Sequence, residues 1–386
     1  MALPRYNCCL LAKSHLEQVP KFWGLAVGFL FAGTSPVYPL SDLGPGGLLL
    51  DLNAEATYDS NIFKNSDGVD DYIVRFTPTL TYQQERGLLH LSAFVATSFF
   101  SYLERDDLSD WDPSVGLSLS GLHKEPAPRL QFGVDTGWRR RTSANSEVGA
   151  QVRSELTSLS GEMDFQLTEK SGINGNASYN GTSYAGDGYA DNEEYSASLA
   201  YVLISSEKLS YYIGGRYRVI DYSDYDLETS TVYVGAAGDL TSKLTGSAYL
   251  GITDANVSDK AMLYYNLDLR WAMDLNTSIS MSGQRDYQPS ALGSSSTTTS
   301  LSIGLEQRFT ESLNGSVSAF IGRDEYDYEN SPNRKDDYIG GSGRLSLNIG
   351  GSSRIYISVD YEDRSSEFLF FNYDRWQVNL GGSTQF

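Results

Sequence analysis

Apolar and polar residues alternate along almost the whole chain after residue 48. The segment 300–309 shows the pattern plainly, because its apolar side chains occupy only odd positions: Leu301, Ile303, Leu305 and Phe309. Side chains of a β-strand point alternately to opposite faces, whereas a helical face repeats about every 3.6 residues. The alternation therefore predicts strands throughout, and no segment after residue 41 predicts a long helix.

The connections between these strands alternate between short turns and longer polar stretches. The short turns lie near residues 85–87, 169–172, 206–208, 241–243 and 350–352. The longer stretches centre near residues 65, 108, 147, 188, 225, 257, 292, 332 and 368. Nine long loops predict nine hairpins, and therefore about 18 antiparallel strands of roughly 11 to 16 residues each.

Strands of this length identify the fold class. Strands of soluble sheets usually run to about 5 or 6 residues, whereas a tilted strand needs about 9 to 11 residues to cross a bilayer. Closure into a barrel pairs every backbone donor where no water is present. The sequence therefore predicts an all-β fold, a transmembrane antiparallel β-barrel of about 18 strands (16–18), with short periplasmic turns and longer extracellular loops.

Tyrosine and aspartate recur side by side near the expected loops, at residues 58–59, 222–226, 286–287, 324–328, 360–363 and 373–374. Aromatic girdles mark both interfaces of membrane barrels. We therefore interpret each pair as a strand end, with tyrosine at the interface and aspartate at the start of a solvated loop. The alternative is that the pairs only reflect a composition rich in tyrosine, at 27 residues.

The amino-terminal segment differs from the rest of the chain. Its apolar run FWGLAVGFLFAG, residues 22–33, follows a weakly basic region and is too short for a spanning helix, which is typical of a secretory signal peptide. We therefore predict a signal peptide over residues 1–40, cleaved between Gly33 and Ser41, and a single barrel domain over residues 41–386. A short membrane anchor is the alternative. Both cysteines of the chain lie within this segment.

The chain is strongly acidic, with 29 basic and 49 acidic residues and a formal net charge of −20. Removal of residues 1–40 takes away three basic residues and one acidic residue, which leaves −22. Phosphate backbones repel such a chain, so we exclude nucleic acid as a partner.

The chain ends on alternating apolar residues that include an aromatic carboxy-terminus: Trp376, Val378, Leu380 and Phe386. This ending is similar to the recognition signal of bacterial outer-membrane barrels. We therefore expect the barrel-assembly machinery to recognise Phe386.

Three motifs near the start of the predicted barrel resemble the first hairpin of the putative beta-barrel porin 2 family: Tyr58-Asp59-Ser60-Asn61-Ile62-Phe63, Asp70-Asp71-Tyr72-Ile73-Val74 and Thr77-Pro78-Thr79-Leu80-Thr81-Tyr82. They cover residues 58–82. The resemblance implies a Gram-negative-type outer membrane. Because members of that family are often associated with exopolysaccharide synthesis and export, it also implies a glycan-related pore, without identifying a substrate.

Few residues offer catalytic chemistry. The predicted mature chain has two histidines, His90 and His123, both beside short turns and away from the expected extracellular end. No cysteine–histidine spacing indicates a metal site, and no nucleophile motif accompanies the serines. We therefore predict that the chain is not an enzyme and has neither a cofactor nor a bound metal. Acidic loops at residues 67–71, 106–112 and 187–194 offer oxygen ligands for calcium or magnesium as an alternative.

Nine arginines are our candidate pore-lining residues: Arg75, Arg139, Arg216, Arg218, Arg270, Arg323, Arg344, Arg354 and Arg375. Rings of such residues favour anions. Acids share the expected inner face, namely Asp51, Glu55, Asp135, Glu162, Asp164, Asp268, Glu306 and Asp360. Ion pairing across strands therefore competes with an anion pathway.

The sequence leaves two functions open. The first is a passive pore or an exopolysaccharide-related export channel for hydrophilic solutes in the outer membrane. The second is a non-conducting structural or surface-interaction barrel with acidic, cation-binding loops. The expected partners are outer-membrane lipid, lipopolysaccharide, the barrel-assembly machinery and a polysaccharide.

Overall fold

The computed structural model describes residues 41–43, 46–84, 89–121, 130–206, 208–328 and 332–386. The predicted signal peptide, the short turn at residues 85–87 and His123 lie outside the described residues. Within the described ranges, no helix combines the length and the hydropathy needed to cross a membrane.

The described chain is almost entirely β-strand. Its strands are β1 Ser41–Leu43, β2 Gly46–Asp59, β3 Asp71–Gln84, β4 Leu89–Tyr102, β5 Asp110–Gly121, β6 Leu130–Asn145, β7 Ala150–Thr168, β8 Ser171–Tyr184, β9 Asn192–Ser206, β10 Leu209–Tyr222, β11 Tyr225–Asp239, β12 Leu244–Ala255, β13 Ser258–Ala272, β14 Thr277–Gln288, β15 Ser295–Arg308, β16 Leu313–Asp327, β17 Arg334–Ile349, β18 Ser353–Ser366 and β19 Tyr373–Gln385. Two short 3-10 helices occupy Asp106–Leu108 and Leu369–Phe371.

Strands β2 to β19 form a closed ring of 18 antiparallel strands. Each strand pairs with the next along the chain, and β19 pairs with β2 from Gln377↔Asp59 to Gln385↔Asp51. The short β1 forms an additional hairpin with the start of β2. The predicted fold class and strand number are therefore confirmed. The ring strands run from 12 residues in β5 to 19 residues in β7, so the longest exceeds the predicted range.

The connections separate the barrel into two ends. We call the end that carries residues 60–70, 103–109, 185–191 and 289–294 the loop end, and the end that carries both termini of the ring the turn end. Three of the predicted long loops are wrong: the connections at residues 146–149, 223–224 and 256–257 are tight hairpins. The polar residues that flank these turns pair with the neighbouring strand and so belong to the sheet, not to a loop.

The two faces of the ring differ in polarity. On β11 the outward Val232 is 68% exposed, whereas its neighbour Thr231 is 2% exposed and faces inward. On β12 the outward Ile252 and the inward Thr253 repeat this contrast, at 59% and 0%. Apolar side chains that point outward are what a membrane barrel requires. The alternation read from the sequence thus gives an apolar outer surface around a polar lumen.

We expect an arginine on the outer face to destabilise the barrel much more than one on the inner face. Ile303 is 54% exposed in the middle of β15, so Ile303→Arg should lower the free energy of unfolding by about 2 to 4 kcal/mol. Urea unfolding from lipid vesicles, followed by tryptophan fluorescence, measures the loss. The matched change Ser302→Arg points into the lumen and should cost less. Equal losses at the two positions contradict the assignment of the faces.

Most of the tyrosine–aspartate pairs lie at strand ends, although Asp360 and Tyr361 lie in the middle of β18, and only some of their aspartates, such as Asp224 and Asp327, are exposed as predicted. Three of these aspartates are buried and accept hydrogen bonds from arginines: Asp59, Asp286 and Asp324. Tyr58 and Tyr361 do share the outer face with other aromatic rings, whereas Tyr222, Tyr326 and Tyr373 are buried. Neighbouring residues of a strand face opposite sides, so only one member of each pair reaches the outer surface.

We predict that the loop end faces the cell exterior, because outer-membrane barrels have short periplasmic turns and longer outer loops. Asp107→Cys and Asp187→Cys at the loop end should react with an impermeant thiol reagent on intact cells. Lys170→Cys and Ser242→Cys at the turn end should react only after permeabilisation. All four side chains are exposed, so accessibility within the protein does not distinguish them. Labelling of the turn-end pair alone on intact cells contradicts this orientation.

Candidate functional site: a charged lumen and a packed loop layer

The structure places eight of the nine candidate arginines on the inner face of the ring. The exception is Arg323, which lies on the outer face next to Ile321 in the same alternation. Its guanidinium pairs with the carboxylate of Asp337 at 2.6 Å, and both side chains are about half exposed. Arg323 is therefore not pore-lining, and this part of the prediction is wrong. The ion pair of Arg323 and Asp337 lies near the ends of β16 and β17, where water can solvate charged groups on the outer face.

Four of the eight inner arginines pair with carboxylates. Arg216 and Arg218 share Asp286, at 2.7 and 3.1 Å. Arg270 pairs with Glu306 at 2.6 Å, and Arg375 pairs with Asp59 at 2.5 Å. The other four have no carboxylate partner among the described residues: Arg75, Arg139, Arg344 and Arg354. Pairing and open positive charge therefore coexist in the lumen.

Sequence reasoning missed four inner arginines, which are Arg141, Arg308, Arg334 and Arg364. Each lies an even number of positions along its strand from a residue that faces the lumen. The alternation of the sequence was therefore enough to predict that it faces inward. Arg334 and Arg364 are 2% and 6% exposed. They are therefore among the most deeply buried charges in the described chain.

Arg334 and Arg364 belong to a buried ion-pair network at the loop end. Arg364 donates to Asp324 at 2.9 Å and to Asp336 at 3.3 Å, and Arg334 lies 3.0 Å from the same Asp336 carboxylate. Asp336 is fully buried. The guanidinium of Arg334 also lies 3.9 Å from the ring centre of Phe371. Arg364 also lies 3.7 Å from the carboxylate of Glu362, so the network joins two arginines to three carboxylates and connects strands β16, β17 and β18.

Loops from separate hairpins bind one another over the lumen at the loop end. The side-chain amide of Asn65 donates to the carbonyl of Gly149 at 2.9 Å, and the backbone amide of Ser66 donates to the carbonyl of Phe370 at 2.9 Å. A third contact joins residues 190 and 291 through their backbones at 2.9 Å. We call the segments joined in this way the loop layer: residues 60–70, 146–149, 185–191, 289–294 and 367–372.

Glu147 joins two hairpins on opposite sides of the ring. Its carboxylate accepts hydrogen bonds from the Ser290 hydroxyl and from the Ala291 amide, the latter at 2.8 Å. Arg334 donates to the Glu147 carbonyl at 2.9 Å. The hairpin β6–β7 that carries Glu147 lies eight strands from the hairpin β14–β15, in a ring of 18. Glu147 therefore bridges the mouth of the lumen.

Burial governs the charge state of Glu147, which is 6% exposed. Desolvation raises the pKa of its carboxyl group, and this effect outweighs the hydrogen bonds from Ser290, Ala291 and Leu292 and the positive charge of Arg334. The charge on Glu147 is therefore costly in the closed loop layer.

Gly149 allows the turn next to Glu147 to form. Its φ of +69° lies in the left-handed region, which residues with a Cβ atom seldom adopt. A Cβ at this position would also lie 2.7 Å from a ring carbon of Phe370. The turn therefore needs glycine both for its backbone and for its contact with the loop 367–372.

The other candidate chemistry is not assembled into a site. His90 is the second residue of β4, at the turn end, and pairs with Ser120 across the strands. In the acidic loop 103–109, Arg105 pairs with Asp107 at 2.9 Å and holds the pKa of that carboxyl below its usual range. Across the part of the chain that the structure describes, no group of three or more metal-ligating side chains is close enough to hold an ion.

The closed ring, its apolar outer face and its charged lumen define a porin-like β-barrel of the outer membrane. Residues 219–386 match the model of the putative beta-barrel porin 2 family, so the family predicted from the sequence is confirmed on these residues. The motifs that first indicated it, at residues 58–82, lie outside the matched range. The family and the fold locate the protein in the outer membrane of a Gram-negative bacterium, as predicted.

Solved structures support the fold. The OccK1 (OpdK) structure from Pseudomonas aeruginosa is 13% identical, with a TM-score of 0.50, and the match covers 88% of this chain and 98% of that one. OpdK of the same organism in complex with vanillate is 12% identical, with the same TM-score and the same coverage. No curated protein sequence matches the chain. These similarities concern the course of the backbone and the closure of the ring.

Proposed function

We propose that the protein is a passive channel for small hydrophilic solutes. The observation that supports this proposal is the closed ring with a polar inner face, on which Arg75, Arg139, Arg344 and Arg354 carry charge that no carboxylate of a described residue neutralises. Unpaired charge on a lumen wall attracts hydrated solutes and costs little where water fills the barrel. The proposal assigns no chemical reaction and no cofactor to the chain.

The loop layer favours small solutes over a polymer. Export of a polysaccharide, the other role that the family resemblance implies, requires a passage wide enough for a chain along the whole lumen. Ile62, Ser290 and Ala291 in the loop layer are at most 2% exposed, so a polymer would have to displace a packed structure. We therefore propose that the cargo consists of single small molecules and that the loop layer controls their entry.

A non-conducting barrel is the second candidate, and the same loop layer favours it. If the hydrogen bonds of Glu147 never break, the barrel acts only as a structural or surface protein of the outer membrane. Outer-membrane lipid and lipopolysaccharide are the proposed partners in either case, and the proposed contact of Phe386 with the assembly machinery is also common to both.

Swelling of proteoliposomes tests the proposal. Vesicles that contain the folded full-length chain should swell in isotonic solutions of small sugars or amino acids, at rates that fall steeply as the solute grows. A long dextran should give no swelling. Vesicles that incorporate the protein but swell no faster than empty vesicles, for every solute, reject the channel and favour the non-conducting barrel.

A further inference from the structure

A cavity of about 520 Å³ opens on the inner wall at the turn end. One arginine from each of strands β13, β15, β17 and β18 lines it: Arg270, Arg308, Arg344 and Arg354. The cavity also contains two carboxylates, those of Glu306 and Asp274. Its wall therefore carries a surplus of positive charge.

Both carboxylates are already engaged. Glu306 accepts a hydrogen bond from Arg270 at 2.6 Å. Asp274 accepts the backbone amides of Asn276 and Thr277, at 2.7 and 2.8 Å, and so closes its own turn. The other three arginines of the cavity do not pair with any carboxylate of a described residue. Four arginines and two carboxylates leave a net charge of +2 on the cavity wall, and three guanidinium groups remain without a carboxylate partner among the described residues.

Two of these three arginines are held by neighbours that do not neutralise them. The Arg344 guanidinium lies 3.7 Å from the ring centre of Tyr356, whose hydroxyl donates to Glu55 at 2.5 Å. Arg354 donates from Nε to the side-chain oxygen of Asn348 at 3.1 Å. These contacts limit the motion of the two guanidinium groups before a ligand binds. Less conformational entropy is therefore lost when their other N–H groups bind a ligand.

The opposite wall carries the opposite charge. Asp135 on β6 and Glu162 and Asp164 on β7 face the lumen near the turn end, and none pairs with a cation of a described residue. Strand β6 lies nine positions from β15 in the ring of 18, which is the largest separation possible. Anions are repelled from the acidic wall and attracted to the arginine wall. The charge distribution therefore directs an anion into the cavity.

We propose that this cavity binds the anionic group, a carboxylate or a phosphate, of small solutes that enter the lumen. Arginine binds both groups through paired N–H donors, and the hydroxyls of Ser316 and Ser346 on the same wall supply further donors. The inference deepens the proposed channel function, since it identifies the class of solute. The cavity is a binding step along the pathway.

Equilibrium binding of inorganic phosphate tests the proposal without any need for conduction. Phosphate is titrated into the detergent-solubilised full-length barrel, and its phosphorus NMR linewidth is recorded at constant ionic strength. Saturable broadening is expected. In the double variant Arg308→Gln, Arg354→Gln, the affinity should fall by about tenfold for each charge-assisted bond that is lost. Acetate should compete with phosphate, because the cavity recognises the charge and the oxygen geometry common to both.

Two single variants serve as matched controls. Arg139→Gln removes an unpaired inner arginine on the acidic side of the lumen, and Arg323→Gln removes one from the outer face. Both should retain the affinity of the unchanged protein within about twofold, since neither residue lines the cavity. Circular dichroism shows that each variant has kept its strands. Absence of saturable broadening, or an equal loss in the Arg139→Gln variant, overturns the proposal.

The outcomes for the cavity and for the channel are separable. Phosphate that binds to a barrel without solute flux overturns the channel and leaves the anion site standing. Solute flux without saturable phosphate binding overturns the anion site and leaves the channel standing.

Discussion

Replacement of Arg364 by methionine should destabilise the barrel by about 3 to 5 kcal/mol, because it leaves the buried carboxylate of Asp324 without a cation and that of Asp336 with Arg334 alone. Arg364 is 6% exposed and contacts both Asp324 and Asp336, of which Asp336 is fully buried. Methionine keeps much of the side-chain volume, so the loss reports mainly the missing charge. Unfolding in urea from lipid vesicles measures it.

Arg354→Met is the matched control for this prediction. Arg354 stands ten residues earlier on the same strand and the same face, but it is exposed, and its side chain hydrogen-bonds to the neutral Asn348 and pairs with no carboxylate of a described residue. Its replacement should change the free energy of unfolding by about 0.5 kcal/mol or less. The double variant Arg364→Met, Asp324→Asn should recover part of the loss, since it removes one unpaired anion. Similar losses for both single variants contradict a buried ion-pair network.

Replacement of Glu147 by alanine should open the loop end and raise the solute flux. The change removes the acceptor of the Ser290 hydroxyl and the Ala291 amide, which connect opposite hairpins. A hydrogen bond to a charged group contributes about 1.5 to 3 kcal/mol, so loss of one or both should shift the balance between closed and open loop layers by at least roughly tenfold. The swelling rate of proteoliposomes measures the result. A rate equal to that of the unchanged protein contradicts the role of Glu147.

The same residue should make the flux depend on pH. The pKa of Glu147 is raised in the closed loop layer and should return to its ordinary value when the layer opens. The closed state therefore holds a proton on Glu147 up to a higher pH than the open state does. Closure is therefore most favoured below the ordinary glutamate pKa of about 4.3 and weakens as the pH rises through the raised value. Flux should increase from acid to neutral pH. Glu147→Gln keeps the shape but cannot ionise, and it should remove this dependence.

Other titratable groups surround Glu147. Arg334 faces it from β17, and the tyrosines whose charge would interact with it are Tyr184, Tyr222, Tyr326 and Tyr328. Arginine and tyrosine do not titrate between about pH 4 and 8 when their partners are intact. A pH dependence that survives in the Glu147→Gln variant assigns the effect to another residue.

The sequence predicted the ring well because strand faces follow a local rule. Val232, Ile252 and Ile303 alternate with polar neighbours, and that period alone determines which side chains face the lipid. The same rule places Arg323 outside, in line with Ile321. The charge of Arg323 favours the lumen, whereas its position in the alternation of β16 places it on the outer face, and the position decides.

The loop layer was not predictable in the same way. Asn65 and Gly149 are 84 residues apart, and Glu147 and Ser290 are 143 residues apart. No local pattern records contacts between hairpins on opposite sides of a barrel, because they depend on the closure of the ring. The polar composition of these loops suggested solvated segments, whereas their polar groups satisfy one another in a buried layer.

Single-channel recording on planar bilayers tests the central claim most directly. The folded full-length chain should produce discrete current steps whose size grows with salt concentration, and the Glu147→Ala variant should show larger or more frequent openings under the same conditions. These results are what a water-filled ring with a closable loop layer predicts. Insertion of both proteins at equal density, verified by protease protection, without current steps from either one, contradicts the channel.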